Sequence, residues 1–384
     1  MSNKPSFASF AAVLIILSGL PAFSLGAAAP VPAPPSLNAK GYIMLDHHSG
    51  VILAEKNADE RLPPASLTKL MTAYVTFSEL AQGKLGLDDL VTISEKAWRT
   101  PGSRMFIEVG KQVTVEDLLK GMIVQSGNDA SVALSEHVAG TEDSFADLMN
   151  YYADQLAMAN SRFRNSTGLP ADDHYSTASD MAILASALIR EFPDYYLWYS
   201  QKEFTYNDIT QHNRNTLLWR DASVDGLKTG HTDAAGYCLV ASAKKESMRL
   251  ITVVMGTPSE KARADSSQAL LNYGFRFFET HRLYAAGETI ENARVWKADN
   301  ETVAVGLAND LFVTIPRGSY KNLKAVMDLQ GSLTAPVEVQ TGVGSVSVSL
   351  DEEPLAELPL VTLADVPSGS IFRRMADTVL LWFE

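Results

Sequence analysis

Between residues 224 and 255 three runs of strand-forming residues follow one another across short turns, and this succession constrains the fold more than any other feature. The runs are Val224–Gly230, Gly236–Ala243 and Arg249–Met255. Far upstream, Gly41–Asp46 and Val51–Ala54 flank the turn signal His47-His48-Ser49-Gly50 and read as a hairpin. What lies between has a helical period. After Pro63-Pro64, Leu67, Leu70, Met71, Tyr74, Val75 and Leu80 recur near every 3.6 residues. Further amphipathic helices are expected in 115–139, 144–160 and 177–190, and another over 261–280, where Ala269, Leu270, Tyr273, Phe277 and Phe278 are apolar. The order two strands, helical block, three strands, one helix predicts a mixed α/β (α+β) fold. Its antiparallel sheet draws its two edges from opposite ends of the domain and carries helices on its faces.

The pattern changes again near residue 282. Short runs (Ala293–Ala298, Thr302–Leu307, Phe312–Ile315, Leu323–Leu329, Val337–Val339, Val346–Leu350) alternate with Gly, Asn, Asp and Pro turns, which predicts a small all-β unit. In the last fifteen residues Ile371, Phe372, Met375, Val379, Trp382 and Phe383 share one face of a short helix, with Arg373, Arg374 and Asp377 elsewhere. At about 1.5 Å rise per residue such a helix cannot cross a bilayer, but it can lie in the interface plane. The alternative is a terminal helix docked on its own β unit. At the other end, Lys4, the apolar run Phe10–Leu17 and the small residues Gly26–Ala29 form a charged, apolar and cleavable sequence, the pattern of an export signal. The chain thus divides into a signal (1–29), a Pro-rich linker (30–37), a main domain (38–280), an all-β domain (281–366) and an amphipathic helix (367–384).

With 384 residues and 46% hydrophobic content, there is ample material for a core. The net charge of −13 argues against a nucleic-acid partner, which demands clustered Lys and Arg. The one cysteine, Cys238, stands in an apolar strand and reads as a buried structural thiol. The seven histidines are scattered and have no Cys partners, so neither a metal nor a cofactor is expected.

Three short elements carry chemistry. In Ser66-Leu-Thr-Lys69 the serine and lysine are one helical turn apart, so Lys69 Nζ approaches Ser66 Oγ. A serine hydroxyl needs a neighbouring base, and a lysine serves when desolvation and a nearby cation lower its pKa. The prolines before it place Ser66 in the helix's first turn, where free N–H groups can stabilise an oxyanion. Alone the motif is weak, since about one or two matches arise by chance in such a chain. Ser242-Ala-Lys-Lys245 also matches, but on a strand its ends face opposite ways. The second element, Ser126-Gly-Asn128, falls between two helices, with Ser126 suited to relay a proton and Asn128 to bond a peptide backbone. The third, Lys228-Thr-Gly230 followed by His231, lies on a strand. There Lys228 offers a cation to a carboxylate and depresses Lys69, Thr229 hydrogen-bonds the same carboxylate, and Gly230 admits another backbone. Sixty residues separate Ser66 from Ser126, and 102 separate Ser126 from Lys228. Serine, helix-loop Asn and strand Lys in this order are the signature of β-lactamases and penicillin-binding proteins.

From about residue 38 to the C-terminus the sequence resembles the low-molecular-mass penicillin-binding proteins, the D-alanyl-D-alanine carboxypeptidases of peptidase family S11. The resemblance rests on Pro64–Thr72, Ile123–Ala130, Val224–Thr232 and Tyr273–Glu279. It implies a penicillin-binding transpeptidase-like domain and removal of the terminal D-Ala from peptidoglycan stem peptides through an acyl-enzyme on Ser66. Lys69 is then the base and Ser126 a further catalytic residue, while Asn128, Lys228, Thr229, Gly230, His231 and Arg263 hold substrate, with Arg214 beside them. The N–H groups of Ser66 and His231 become the oxyanion hole, β-lactams become acylating mimics, and the terminal helix places a periplasmic enzyme on the outer face of the inner membrane. Two segments depart from the family pattern. Trp98–Arg104 is shorter than the corresponding loop, and Gly168-Leu-Pro170 replaces Gly-Leu-Asp. Competing readings are a D,D-endopeptidase or slow β-lactamase on the same scaffold, and a catalytically silent peptidoglycan-binding protein.

Overall fold

A computed structural model describes residues 31–329 and 331–382, so the expected signal segment lies outside the described residues. In the main domain, strands β1 (Gly41–Asp46) and β2 (Ile52–Lys56) form the expected hairpin. A 3-10 turn, Ala65–Thr68, leads into α1 (Lys69–Ala81). Next come α2 (Val115–Val124), α3 (Asn128–Ala139), α4 (Glu142–Gln155) and α5 (Ala178–Glu191). Strands β3 (Val224–Thr232), β4 (Gly236–Lys245) and β5 (Met248–Thr257) follow, then α6 (Glu260–Phe277).

The sheet is antiparallel with order β2-β1-β5-β4-β3, so one edge is the N-terminal hairpin and the other is the strand carrying Lys228. The two-residue alternation of each strand divides its side chains between two cores. Ile43, Val240, Ile251 and Val253 face the helical block, packing with α1, α2 and α5. Tyr42, Met44, Leu239, Leu250 and Val254 face Leu270 and Leu271 of α6. The Pro-rich segment is less free than a linker. Val31 and Leu37 pack on this second core, and Pro32 O accepts a hydrogen bond from Tyr273 Oη at 2.8 Å.

The expected helix over 261–280 ends at Phe277, and Phe278–Tyr284 is instead a strand paired antiparallel with Leu311–Pro316 of the all-β unit. A buried polar cluster closes this junction. Asp46 accepts hydrogen bonds from the Ser49 backbone and hydroxyl and from Thr280 Oγ1, and Thr314 Oγ1 lies within hydrogen-bond range of both hydroxyls. In the β unit, Val337–Val339 is no strand; Val337 makes only an isolated bridge to Val366. Glu353–Thr362 is a long strand outside the expected runs. Its Pro354 and Pro359 broke the strand pattern. They are tolerated because only its end, Leu360–Thr362, pairs with a second neighbour.

The terminal helix α7 (Ile371–Leu380) sits on the β unit by its polar side. Asp377, 1% exposed, accepts the Lys297 N–H at 2.6 Å and lies 3.3 Å from Arg373 Nε, while Arg373 reaches Glu301 at 2.9 Å. Ile371, Phe372, Met375, Val379 and Trp382 are left exposed, Phe372 at 83%. An amphipathic helix docked on a domain ordinarily does the reverse. Among the described residues, no helix is long and apolar enough to cross a membrane.

Candidate active site

Ser66 lies on the 3-10 turn rather than in α1 itself. With three residues per turn, positions i and i+3 eclipse, which aligns Lys69 with Ser66 more directly than an α-helix would. Lys69 Nζ is 3.1 Å from Ser66 Oγ, 2.6 Å from Asn128 Oδ1 and 2.6 Å from Thr167 O. The lysine is 1% exposed. Burial, and next the positive charge of Arg214, push its pKa down to about 7, against the opposing pull of Asp129 and Glu142. A neutral amine has two N–H donors and one lone pair. Asn128 and Thr167 take the donors, so the lone pair is directed at the serine hydroxyl.

The backbone around the nucleophile is tightly determined. Ala65 (φ 47°) and Ser126 (φ 67°) both occupy the left-handed region, a cost that non-glycine residues bear mainly where surrounding structure dictates it. Gly168 (φ 83°) brings the Thr167 carbonyl to Lys69, and a Cβ there would lie 1.8 Å from Ala65 O. Two further supports fix this loop. Thr72 Oγ1 donates to Ser166 O at 2.7 Å, and Glu142 accepts the Ser166 N–H and hydroxyl.

Ser126 follows α2 and Asn128 begins α3, the interhelical position expected. The Ser126 hydroxyl lines the cavity beside Ser66 and makes no hydrogen bond to another described residue. Asn128 lines the cavity; its Oδ1 accepts from Lys69, and one Nδ2 hydrogen goes to Pro101 O at 2.6 Å in the short loop 98–104, which leaves the second for another acceptor.

Strand β3 packs its Gly230 against the nucleophile turn. A Cβ there would come 3.1 Å from Pro64 O and 3.3 Å from Leu67 N, so the close approach foreseen for glycine is to this turn. Lys228 is 3% exposed and donates to Thr229 O at 3.2 Å. Burial, then Lys69, Arg214 and Arg263, hold its pKa well below the usual lysine range. Lys69 and Lys228 repel each other, which disfavours the ammonium form of both, and Arg214 adds its charge against each.

The cavity, about 360 Å³, is lined by Ser66, Ser126, Asn128, Thr229, Gly230 and His231 together with Arg214 and Arg263. Lys69 and Lys228 lie behind its wall. Arg263 Nη1 donates to Gly230 O at 3.2 Å, and its guanidinium lies over Tyr237, whose ring stacks on His231 at 4.0 Å. Arg214 is presented between two buried asparagines. Asn213 Nδ2 donates to Gln201 O and Asn215 Nδ2 to Gly226 O, both at 3.0 Å. The motif reading missed Thr167, Tyr237 and Glu260. Thr167 acts through a main-chain carbonyl that no residue type signals, whereas the Asn-Arg-Asn alternation was a readable sign of an arginine fixed from both sides. Gly102, Ser103, Gly168 and Leu169 also line the cavity, so both segments that depart from the family pattern border it. Cys238 is buried, with its pKa raised by burial to about 11, as a structural thiol should be. Among the described residues no acidic, His or Cys cluster suits a metal ion.

Comparison with known proteins agrees with this geometry. Residues 28–259 match the family described as D-alanyl-D-alanine carboxypeptidase, peptidase S11, and residues 278–368 match the C-terminal domain of penicillin-binding protein 5. The D-alanyl-D-alanine carboxypeptidase DacA of Escherichia coli is 45% identical over 361 residues, spanning 92% of this chain and 90% of that protein. The crystal structure of penicillin-binding protein 5 from Haemophilus influenzae superposes with a TM-score of 0.82 at 44% identity, covering 88% of this chain and all of that one. Penicillin-binding protein D2 from Listeria monocytogenes in its cefotaxime-bound form, 29% identical, covers 64% of this chain with a TM-score of 0.59. With a family match over more than half its length, and a serine and two arginines lining one cavity with two buried lysines behind it, the chain belongs to the serine D-alanyl-D-alanine carboxypeptidases of peptidase family S11.

Proposed function

We propose that this carboxypeptidase removes the terminal D-Ala of peptidoglycan pentapeptides through an acyl-enzyme on Ser66. The observation that carries the reading is Lys69: a buried amine 3.1 Å from Ser66 Oγ with both N–H donors already engaged. Ser66 Oγ attacks the carbonyl carbon of the penultimate D-Ala as Lys69 Nζ takes its proton. The oxyanion is held by the N–H groups of Ser66 and His231. The proton passes by way of Ser126 to the departing nitrogen, the C–N bond breaks, and water later hydrolyses the ester. Thr229, Arg214 and Arg263 bind the terminal carboxylate at the cavity surface, and Lys228 supports it from behind. Asn128 positions Lys69, and Gly230 seats the strand against the nucleophile turn. β-Lactams acylate Ser66 as substrate mimics, a reading supported by the cefotaxime-bound relative.

Mass spectrometry of a tryptic digest labelled with penicillin tests the assignment. The adduct is expected on the peptide containing Ser66, and Ser66→Ala abolishes D-Ala release from diacetyl-Lys-D-Ala-D-Ala. An adduct on another serine, or full release by S66A, refutes it. Comparing turnover of that peptide with penicillin hydrolysis separates carboxypeptidase from slow β-lactamase.

The exported, membrane-surface location is part of the same proposal. It is supported by the export-signal pattern of residues 1–29 and by the outward apolar face of α7. Deleting residues 368–384 releases the enzyme into the soluble periplasmic fraction. Unchanged membrane association of the truncated protein refutes the anchor.

A further inference from the structure

Among the described residues lining the cavity, one acid stands with the two arginines: Glu260. It is the first residue of α6, which Ser259 caps by accepting the Ala262 N–H at 3.1 Å. The helix dipole favours a carboxylate at this position. That accounts for an acid in the first turn but not for its place on the cavity wall. Glu260 Oε1 is 3.6 Å from Arg263 Nη2, and Arg263 is held by Gly230 O and the Tyr237 ring. Through Arg263 the acid is placed beside β3, the strand against which the end of the substrate lies in the proposed mechanism.

We propose that Glu260 is a specificity-determining residue that selects the side chain of the substrate's C-terminal residue by charge. It admits neutral and cationic side chains and refuses anionic ones. The inference rests on the reading that Arg214 and Arg263 bind the carboxylate of that residue. The side chain leaves the same Cα as that carboxylate, so it emerges beside the guanidinium and its acidic partner. A cationic side chain finds a counter-charge there. An acidic one brings a further negative charge to a spot already holding Glu260 and the substrate's own terminus, which is selection by repulsion as much as by attraction. The Glu260 side chain is 70% exposed, so water screens it, and a charge of this kind changes a rate constant by about fivefold at most.

The test uses the full-length enzyme and three peptides, diacetyl-Lys-D-Ala-D-X with D-Ala, D-Lys or D-Glu as X, quantifying the released D-amino acid. The readout is the ratio of kcat/KM for D-Lys over D-Glu within each protein, so any general loss through Arg263 cancels. The wild-type ratio is above one, Glu260→Gln lowers it about three- to fivefold, Glu260→Lys inverts it, and Glu260→Asp retains it. A ratio unmoved in both E260Q and E260K overturns the proposal, as does a ratio lost in E260D. A wild-type enzyme that turns over none of the three peptides overturns the carboxypeptidase reading itself, and this proposal with it.

Discussion

Replacing Asn128 by Asp moves the pH dependence of acylation, and the size of the effect follows from the site. A lysine with the ordinary pKa of about 10.4 is neutral in roughly one molecule in 2,500 at pH 7. With Lys69 pushed down to about 7, about half the molecules carry the neutral base at that pH. Asn128 Oδ1 lies 2.6 Å from Nζ, so Asn128→Asp sets a carboxylate against the amine in nearly the same volume. An opposite charge at that range favours the ammonium by about one to three pKa units. The sign is unambiguous: the neutral form is the base, so raising its pKa removes base at pH 7. Acylation of N128D therefore falls about five- to 500-fold at pH 7 and recovers as the pH rises beyond the new pKa. Asn128→Ala removes the acceptor without adding charge; it loses about 10- to 100-fold with no alkaline recovery. Second-order acylation constants for a fluorescent penicillin, measured from pH 5.5 to 10, distinguish the two. A wild-type profile with no ionisation between about pH 6 and 8, or an N128D profile superposing on it, refutes a neutral Lys69 as the base.

Three other substitutions probe the framework. Gly168→Ala puts a methyl 1.8 Å from Ala65 O at a left-handed residue, so it costs at least about 3 kcal/mol and abolishes penicillin labelling; an unchanged melting temperature contradicts this. His174 is buried and neutral, its Nδ1 accepting the Arg164 N–H and its Nε2 facing Thr68 Oγ1 at 2.9 Å, and burial lowers its pKa to about 4. The unfolded chain binds the extra proton between about pH 4 and 6.5, so this contribution is full above pH 6.5 and lost as pH falls towards 4. His174→Gln should therefore shrink the stability difference between pH 7 and pH 4 by about 3 kcal/mol, and denaturant unfolding at the two pH values that gives the wild-type difference refutes it. Asp46→Ala removes the acceptor of the His48 and Ser49 N–H groups and leaves the Ser49 and Thr280 hydroxyls only Thr314 Oγ1, costing about 3 kcal/mol and opening the segment after α6 to proteases; an unchanged digestion rate counts against that role.

How far the sequence reaches can be followed through individual residues. The β1–β2 hairpin, the three later strands and their placement at opposite edges were legible because period and turn chemistry are local. The Ser66–Lys69 pair was legible because positions three apart share a face in α and 3-10 helices alike. Asn128 was only half legible: its place between two helices could be read, but its partners come from the folding of loop 98–104, which has no periodicity. Lys228 was legible as a cation on a strand, but nothing local announces that a lysine on an edge strand is 3% exposed. The two prolines hid Glu353–Thr362, where pairing on one side alone makes them harmless. For α7 the apolar stripe was plain, yet the docking of its polar side depends on Lys297 and Glu301, some seventy residues earlier.

The charges of the cleft make sense only as a set. Two arginines stand at the wall, with two buried lysines behind them. Burial and repulsion therefore fall on the lysines, and both are lowered. In the proposed mechanism the same positive field performs two tasks, attracting the substrate's carboxylate and keeping the base deprotonated. The tasks are in tension, because an arriving carboxylate cancels part of the field and favours reprotonation of whichever lysine feels it most. Placing Lys228 on the strand that meets the carboxylate, and Lys69 behind the nucleophile turn with its donors committed to Asn128 and Thr167, resolves the conflict. In the proposed mechanism the carboxylate thus meets Lys228 and the arginines, and Lys69 stays committed to Asn128, Thr167 and Ser66.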